Sequence, residues 1–371
     1  MVMTTLISII TATLFLVVAS LILSILLIIA EKKILNYGIC KISVNKGDKE
    51  LEVEGGSSLL SSLGSNDIFI PSACGGRGSC AYCKLKVTEG GGMISPVETP
   101  YLSDEEIKQK IRLSCQVKVR NDIFVEIPKE LFNVKKFKGI LEHKKELTYD
   151  ILELRIKLIE PKSIDFQAGQ YVQLESKEYK GRDSVMRAYS ISSPPSDHNY
   201  VELNVRLVPD GICTTWVFDY LKEKDELYFS GPYGDFVLSE TDLSVIFMAG
   251  GSGMAPIYSL IHYMIENNIN RNATYFFGAR TQKDLFYVDE LKKLEEEHSW
   301  LTFVPVLSAE PEDSGWKGER GLVTDALDRH FKECSEYEAY LCGSPGMVNA
   351  CEKKLISKGI KEGAIFYDKF A

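Results

Sequence analysis

Four cysteines place the strongest constraint on how this chain can fold. Cys74, Cys80 and Cys83 lie in the run PSACGGRGSCAYCKLKV, and Cys115 follows in RLSCQV. Three thiolates in one loop and a fourth from a later segment form the arrangement that a plant-type [2Fe–2S] cluster requires. The spacing therefore predicts an iron–sulfur cluster with these four cysteines as its ligands.

The residues between the cysteines favour the same interpretation. Gly75, Gly76 and Gly78 have no Cβ, so the loop can wrap tightly and direct backbone N–H groups at the sulfur atoms. A zinc site is the alternative, but zinc ribbons favour two paired C-x2-C knuckles, and here the fourth cysteine stands alone. A disulfide framework is not expected in a chain of 371 residues with this spacing.

The charge balance and the remaining cysteines limit the partners and the compartment. The net charge of −9 argues against nucleic acid as a partner. Five further cysteines show no pairing pattern and are expected to be mostly ordinary buried thiols: Cys40, Cys213, Cys334, Cys342 and Cys351. This cysteine usage indicates a reducing, cytosol-facing compartment.

The N-terminus has a different composition from the rest of the chain. From Thr4 to Ala30 there is no charged side chain, and such a stretch is long enough to cross a bilayer as one helix. A signal peptide is the weaker alternative, because no basic region precedes the apolar run. Lys32 and Lys33 place the following domains on the cytoplasmic side. We therefore predict a single-pass transmembrane anchor at residues 1–33.

Three segments with different hydrophobic patterns follow the anchor. The first, residues 34–131, is predicted to be a small β-rich unit around the cysteines, with a helix and flanking strands. Its strands are expected at 39–44, 51–53, 85–87, 116–119 and 124–127, and its helix at 57–63.

The second and third segments are predicted to be all-β and α/β. In residues 132–237, alternating runs separated by turn signals predict a closed antiparallel barrel: 138–141, 151–158, 171–174, 200–208 and 226–230. In residues 238–371, apolar strand cores alternate with helical stretches, which predicts a parallel, doubly wound sheet. The strand cores are 245–249, 273–277, 301–307 and 339–342, and the helices 257–267 and 288–298.

Two motifs in the second segment are suited to binding a flavin nucleotide. In the run RAYS, the Arg187 guanidinium can clamp a pyrophosphate, Tyr189 can stack on a flavin ring, and Ser190 can hydrogen-bond the ring edge. An ordinary strand end is the alternative. Downstream, the run GICTT can open a helix whose N-terminal amides receive a phosphate; its candidate residues are Gly211, Thr214 and Thr215.

A glycine-rich turn opens the third segment. Gly250, Gly251 and Gly253 follow a predicted strand and precede a predicted helix, which allows close backbone approach to a pyrophosphate. Packing glycines are the alternative. Further candidates come directly after later strands, at the edge where open α/β sheets bind ligands: Arg280, Cys342 and Gly343.

Taken together, these motifs carry a family resemblance that covers essentially the whole chain. RAYS, GICTT, GPYGDF, GGSGMAP, FGARTQKDLFY and CGSPGM resemble the ferredoxin–NADP reductase superfamily. With a ferredoxin domain first, the order resembles oxygenase reductases and, more closely, the F subunit of the Na+-translocating NADH:quinone oxidoreductase. That family also has one N-terminal membrane helix and five residues between its first two cluster cysteines. This chain departs from it between Tyr171 and Arg187, where members of that family carry a longer insertion.

The resemblance implies a fold and a set of site residues. It implies a β-grasp ferredoxin domain, an FAD-binding β-barrel and an NADH-binding α/β domain. It places Arg187, Tyr189 and Ser190 on FAD with Thr214 at its phosphate, and the glycine turn on the dinucleotide. Cys342 would lie near the nicotinamide. Phe370 would cover the flavin ring, although a loose apolar tail is its alternative.

The resemblance also implies a function. Electrons would pass from NADH to FAD, then to the [2Fe–2S] cluster, and then to a membrane acceptor such as ubiquinone. The chain would be the NADH-oxidising subunit of a sodium-transporting complex, associated with other membrane subunits in the cell inner membrane. The alternatives are a soluble oxygenase reductase, which needs no anchor, and a tethered ferredoxin, which leaves the barrel and the glycine turn unexplained.

Overall fold

A computed structural model describes residues 13–25, 37–72, 74–128, 131–132 and 134–369. These residues form two compact units. The first unit comprises Met1–Ile70 and Gly76–Leu131, and the second comprises Pro71–Gly75 and Phe132–Ala371.

The predicted membrane anchor, residues 1–33, lies outside the described residues except for its central part. Residues 13–25 form a helix, α1, whose side chains are exposed. Within the described ranges, no helix is both long enough and apolar enough to cross a membrane.

The first unit is a five-stranded mixed sheet with two short helices. Its strand order is β2-β1-β5-β3-β4; β1 and β5 are parallel, and the other pairs are antiparallel. The elements are β1 (Ile39–Val44), β2 (Lys49–Glu54), α2 (Leu59–Gly64), β3 (Lys84–Glu89), α3 (Asp104–Lys108), β4 (Ile111–Leu113) and β5 (Ile123–Glu126). Helix α2 begins after Ser58, whose hydroxyl accepts a hydrogen bond from Ser61 N, and buries Leu59 and Leu63 in the core.

The expected strand at 116–119 is wrong. After β4 the chain turns, because Gln116 N and Val117 N both donate to Leu113 O. Lys118 then makes only an isolated bridge to Ser58. Cys115 lies in this turn, and its side chain is in the core of the unit.

The second unit begins with a six-stranded antiparallel sheet in the order β10-β7-β6-β11-β8-β9. Its elements are β6 (Lys135–Thr148), β7 (Ile151–Glu160), β8 (Tyr171–Glu175), β9 (Met186–Ser190), β10 (Tyr200–Arg206), α4 (Ile212–Thr215) and β11 (Glu226–Tyr233). A bridge between Ile191 and Leu203 joins the end of β9 to β10, the two edges of the sheet. The predicted antiparallel architecture is confirmed for this segment.

A parallel sheet completes the second unit, in the order β15-β14-β13-β12-β16-β17. Its elements are β12 (Ser244–Gly250), α5 (Met254–Glu266), β13 (Ala273–Ala279), α6 (Val288–Glu297), β14 (Leu301–Leu307), β15 (Glu319–Arg320), α7 (Val323–His330), β16 (Tyr337–Gly343), α8 (Pro345–Ser357) and β17 (Ile365–Lys369). The residues of β12 alternate between two cores, with Phe247 in one and Met248 in the other, because helices cover both faces.

The strand order of the parallel sheet determines where a ligand can bind. The chain runs outward from β12 to β15 and then returns to place β16 on the other side of β12. The carboxyl ends of β12 and β16 therefore flank a topological switch point, which is the position where doubly wound sheets bind nucleotides. The predicted glycine turn follows β12, and Cys342 and Gly343 end β16.

Candidate functional site

The cluster loop of the first unit brings two of the predicted ligands together. Cys83 and Cys115 are both buried, and their thiols share a hydrogen bond that, with burial, raises the pKa of Cys83. Gln116 Nε2 lies 3.4 Å from Cys115 Sγ and 3.3 Å from Gly76 O. An N–H donor aimed at a cysteine sulfur is the kind of contact that stabilises thiolate ligands of an iron–sulfur cluster.

Glycines make this loop geometry possible. Gly76 and Gly78 have φ values of +85° and +82°, a conformation that side chains with a Cβ rarely adopt. A Cβ at Gly78 would lie 2.8 Å from Gln116 Nε2, so a larger residue would displace the donor that faces Cys115. Within the described residues no group of three or more metal-binding side chains is arranged around a common point. Cys80 lies between these glycines and Cys83, whereas Cys74 precedes them in the segment Pro71–Gly75, which is grouped with the second unit.

A buried ion pair holds the end of β4 in place, close to Cys115. No motif in the sequence indicated this ion pair. Arg112 donates to both carboxylate oxygens of Glu98, each at 2.8 Å, and to the carbonyls of Gly91, Gly92 and Met93. Glu98 also accepts from Leu113 N at 3.1 Å. A buried charge needs this number of partners, and together they fix the end of β4, two residues before Cys115.

The predicted flavin residues lie on two neighbouring elements of the antiparallel sheet. Arg187 and Tyr189 are two residues apart on β9, so their side chains leave the same face of the strand. The Tyr189 hydroxyl and the Cys213 thiol are hydrogen-bonded, which brings the RAYS strand and the GICTT turn together. Burial raises the pKa of Tyr189 well above its usual value and that of Cys213 to about 11.

The GICTT turn opens a helix, as predicted. Gly211 precedes Ile212–Thr215, and a Cβ there would lie 2.6 Å from Thr214 Oγ1. Thr214 is buried, and its hydroxyl lies 3.2 Å from Val208 N and 3.3 Å from Val208 O. Thr215, which was predicted to contact the same phosphate, is half-buried in the same turn. Thr214 therefore holds the shape of the turn in this structure.

The glycine turn after β12 packs directly against the end of β16. A Cβ on Gly253 would lie 2.4 Å from Cys342 O, and one on Gly250 would lie 2.9 Å from Met347 Sδ. Gly251 has a φ of +55°, which favours glycine. These three glycines let the turn approach β16 closely and begin α5 at the switch point.

Ser190 and Cys342 both neighbour Asp368, near the end of the last strand. Ser190 Oγ lies 3.5 Å from Asp368 Oδ2, and Cys342 pairs with Asp368 across β16 and β17. Burial raises the pKa of the Cys342 thiol, and the negative charge of Asp368 adds to the effect. The sequence predicted Ser190 and Cys342 but missed Asp368, which carries no local motif. Phe370, the predicted cover of the flavin ring, lies outside the described residues.

A second missed residue approaches the glycine turn from the antiparallel sheet. A Cβ built on Gly251 would lie 3.2 Å from Arg206 Nη1, at the end of β10. Arg206 Nε donates to Asp150 at 2.8 Å, which orients the guanidinium. A guanidinium beside a glycine-rich turn is suited to a phosphate. Arg280, predicted for the same nucleotide, is exposed beyond the end of β13.

The arrangement has the parts of a two-nucleotide redox site. One sheet offers an aromatic ring, a guanidinium and a tight helical turn, and the other offers a glycine turn at a switch point. They meet where Ser190, Cys342 and Asp368 lie together. A site of this kind can bind two cofactors with their reacting rings adjacent, and its chemistry is carried by those cofactors.

Family models match most of the chain. The 2Fe-2S iron-sulfur cluster binding domain matches residues 42–120, the oxidoreductase FAD-binding domain matches 138–238, and the oxidoreductase NAD-binding domain matches 247–353. The cluster, FAD and NAD are therefore the cofactors of this chain. The buried thiols of Cys83 and Cys115, with the Gln116 donor, fit the first of these groups.

Solved structures of reductases resemble the chain over most of its length. The cytochrome P450 reductase GcoB of Amycolatopsis has a TM-score of 0.72 and 27% identity, covering 89% of this chain and 98% of its own. The ferredoxin reductase of carbazole 1,9a-dioxygenase has a TM-score of 0.69 and 25% identity, covering 90% of this chain and 99% of its own.

Curated relatives are similar from end to end. The F subunit of the Na+-translocating NADH-quinone reductase of Neisseria meningitidis serogroup B is 34% identical, covering 94% of this chain and 96% of the relative. The F subunit of Histophilus somni is 33% identical with the same coverage. The chain is therefore an oxidoreductase that belongs to the family of the F subunit of the Na+-translocating NADH-quinone reductase.

Proposed function

We propose that this chain is the NADH-oxidising subunit of a Na+-translocating NADH:quinone reductase-like complex. The chain is an NADH-dependent flavin and iron–sulfur oxidoreductase. The observation that carries the proposal is the contact of Ser190 on β9 with Asp368 on the parallel sheet, beside Cys342. It joins a flavin half-site and a nicotinamide half-site in one compact unit.

Each predicted residue that the structure describes has a role in this proposal. Arg187, Tyr189 and Ser190 hold the flavin, with its pyrophosphate at the turn of Gly211, Thr214 and Thr215. The nucleotide lies over Gly250, Gly251 and Gly253, with Arg206 and Arg280 at its phosphates and Cys342 and Gly343 beside the nicotinamide. Cys74, Cys80, Cys83 and Cys115 ligate the cluster. Bound FAD accepts a hydride as an electron pair, and the cluster accepts electrons one at a time.

The N-terminal sequence supports the proposed location, and the relatives support the proposed electron acceptor. Residues 1–33 anchor the chain in the cell inner membrane as a single span, because Thr4 to Ala30 has the length and composition of a transmembrane helix. Domains at 34–131, 132–237 and 238–371 face the cytoplasm. Other membrane subunits receive the electrons and pass them to ubiquinone with transport of sodium, in keeping with the Na+-translocating quinone reductases to which the relatives belong.

A reductase that serves an oxygenase is the second candidate. Its support is the similarity to the solved P450 and dioxygenase reductases over about the same share of the chain. The curated relatives favour the first candidate, because their identity is higher and they match 94% of the chain. The apolar N-terminal stretch also has no purpose in a soluble reductase.

The cluster provides the test of the electron path. Cys83→Ala in membrane-bound protein should abolish NADH-dependent reduction of quinone and keep reduction of a small dye, because a dye takes electrons from the flavin directly. Cys40→Ala is the matched control, since Cys40 is equally buried in the same unit and is not a predicted ligand. Quinone reduction at the wild-type rate in Cys83→Ala would contradict the proposed path. NADH-dependent electron transfer to an oxygenase but not to quinone would favour the second candidate.

A further inference from the structure

Tyr287 connects the two sheets of the second unit from a constrained position. It immediately precedes α6 and has φ +56° and ψ 19°, the left-handed region that a bulky residue rarely adopts. Its side chain is 8% exposed. Such a conformation persists only where the surroundings hold the residue in place, and it occurs most often at functional sites.

The hydroxyl of Tyr287 contacts two strands of the antiparallel sheet. It donates a short hydrogen bond to Glu153 Oε2 on β7, and it lies 3.2 Å from Asn204 Oδ1 on β10. Glu153 and Asn204 are direct cross-strand partners. The hydroxyl of Tyr287 therefore contacts two side chains that lie side by side on adjacent strands. These two contacts fix the position of Tyr287 along β7 and β10.

The chemistry of the three groups makes this contact directional. A phenol has one proton, so Glu153, the stronger acceptor, receives it. Asn204 Nδ2 has no hydrogen-bond partner among the described residues. With its amide turned so that Nδ2 faces the Tyr287 oxygen, Asn204 donates to that oxygen, and Oδ1 takes the position that has no partner. Burial, followed by the charge of Glu153, raises the pKa of Tyr287, so the hydroxyl keeps its proton.

The ring of Tyr287 is held as firmly as its hydroxyl. It stacks on Tyr258 of α5 at 4.7 Å and packs edge-on against Phe286 at 5.1 Å. Ser259, next to Tyr258, donates to Ser193 O at 2.8 Å and is fully buried. The parallel sheet thus meets the antiparallel sheet through a buried, directional contact at α5 and the start of α6.

The contact between Tyr287 and Asn204 lies beside the glycine turn after β12. Asn204 and Arg206 are two residues apart on β10, so they leave the same face of the strand. Asn204 meets Tyr287, and Arg206 approaches Gly251. A shift of Tyr287 along β10 would therefore move the glycine turn relative to the flavin half-site.

We propose that Tyr287 is a positioning residue that sets the distance between the nicotinamide and the flavin. The proposal rests on the proposed function, in which a hydride leaves C4 of NADH with its electron pair, is accepted at the flavin, and leaves NAD+. Hydride transfer requires the reacting atoms at about 3–3.5 Å, and a misplacement of about 1 Å can cost about a hundredfold in rate. Tyr287 is not among the residues assigned to the flavin or to the nucleotide, so its removal should change the rate of hydride transfer and leave binding intact.

The test is the rate of flavin reduction in single-turnover experiments. Tyr287→Phe keeps the ring and removes the hydroxyl. We expect the limiting rate to fall by about tenfold or more, with FAD occupancy and the apparent Kd for NADH within about twofold of wild type. Glu153→Gln should lower the rate less, because the amide oxygen still accepts the proton, and the double variant should be no slower than Tyr287→Phe alone.

The matched control is Tyr149→Phe. Tyr149 also links the two sheets by its hydroxyl, at 2.9 Å from Asp284 Oδ1, but it is 71% exposed. Flavin in the Tyr149→Phe variant should be reduced at the wild-type rate. A wild-type rate in Tyr287→Phe, an equal loss in Tyr149→Phe, or a loss confined to FAD occupancy, NADH affinity or thermal stability would each overturn the proposal. Absence of flavin reduction in the wild-type protein would instead contradict the proposed function.

Discussion

Gly253→Ala should lower kcat/KM for NADH and leave FAD binding unchanged. Gly253 ends the turn after β12 with φ −63° and ψ −9°, a conformation open to any residue, so the substitution introduces no backbone strain. The added Cβ would instead lie 2.4 Å from Cys342 O, 2.7 Å from Cys342 C and 3.0 Å from Gly343 N. All three are backbone atoms of β16, which cannot rotate away as a side chain can.

The size of the effect follows from these distances. Ordinary van der Waals contact begins at 3.4 Å, so the turn must move by about 1 Å from the end of β16. A displacement of that size costs about 1–3 kcal/mol of folding stability in packed regions. It also moves the glycine turn away from Cys342, and a misplacement of about 1 Å can lower a rate by about a hundredfold. We expect kcat/KM for NADH to fall by about 10- to 100-fold.

The assay uses an artificial dye as acceptor, which reports NADH oxidation without the cluster. FAD content, measured from the flavin spectrum, should stay at the wild-type level, because the added Cβ meets backbone atoms of β16 and none of the RAYS strand. Gly363→Ala is the control. No described heavy atom lies within 4 Å of a Cβ at Gly363, just before β17, and that variant should behave as wild type.

Two results would refute this reasoning. A wild-type kcat/KM in Gly253→Ala, with or without a lower melting temperature, would show that the close packing of the turn against β16 is not needed to position the nucleotide. Loss of FAD together with activity would show that the turn supports the flavin half-site.

Two further predictions concern the anchor and the nucleotide. Deleting residues 1–33 should give a soluble protein that keeps the cluster, FAD and dye reduction, and sedimentation with membranes after the deletion would show that another surface holds it there. NADH should be preferred to NADPH by at least about tenfold in kcat/KM, or about 1.4 kcal/mol. The carboxylate of Asp284, fixed by Thr281, would repel a 2′-phosphate; a ratio near one would mean that Arg280 and Lys283 bind that phosphate.

Local patterns predicted most of the parallel sheet. The strand expected at 301–307 is observed as Leu301–Leu307, and the helix expected at 288–298 is observed as Val288–Glu297. Both succeed because periodicity and turn residues within one segment determine them. The strand expected at 116–119 failed because a turn fixed by hydrogen bonds to Leu113 O replaced it, and the hydrophobic alternation did not indicate that turn.

Contacts between distant segments were beyond the reach of the sequence. Asp368 meets Ser190 across 178 positions of the chain, and Tyr287 meets Glu153 across 134. No local spacing relates such pairs, and only the folded sheets bring them together. The motifs that were found are the cysteine loop, the RAYS strand, the GICTT turn and the glycine turn after β12. Each of them lies within one short segment of the chain. The missed residues are those that join one part of the site to another.

The segment before Arg187 holds in place the helical turn that the sequence assigns to a phosphate. In this chain Tyr179 and Arg182 close a small loop. The Tyr179 hydroxyl donates to Ile212 O at 2.8 Å, and its ring packs on Tyr220 at 4.6 Å. The loop thus braces both ends of the helical segment that follows Gly211. A turn that is to receive a phosphate needs a fixed backbone, and the hydrogen bond and the aromatic contact of Tyr179 supply that constraint directly.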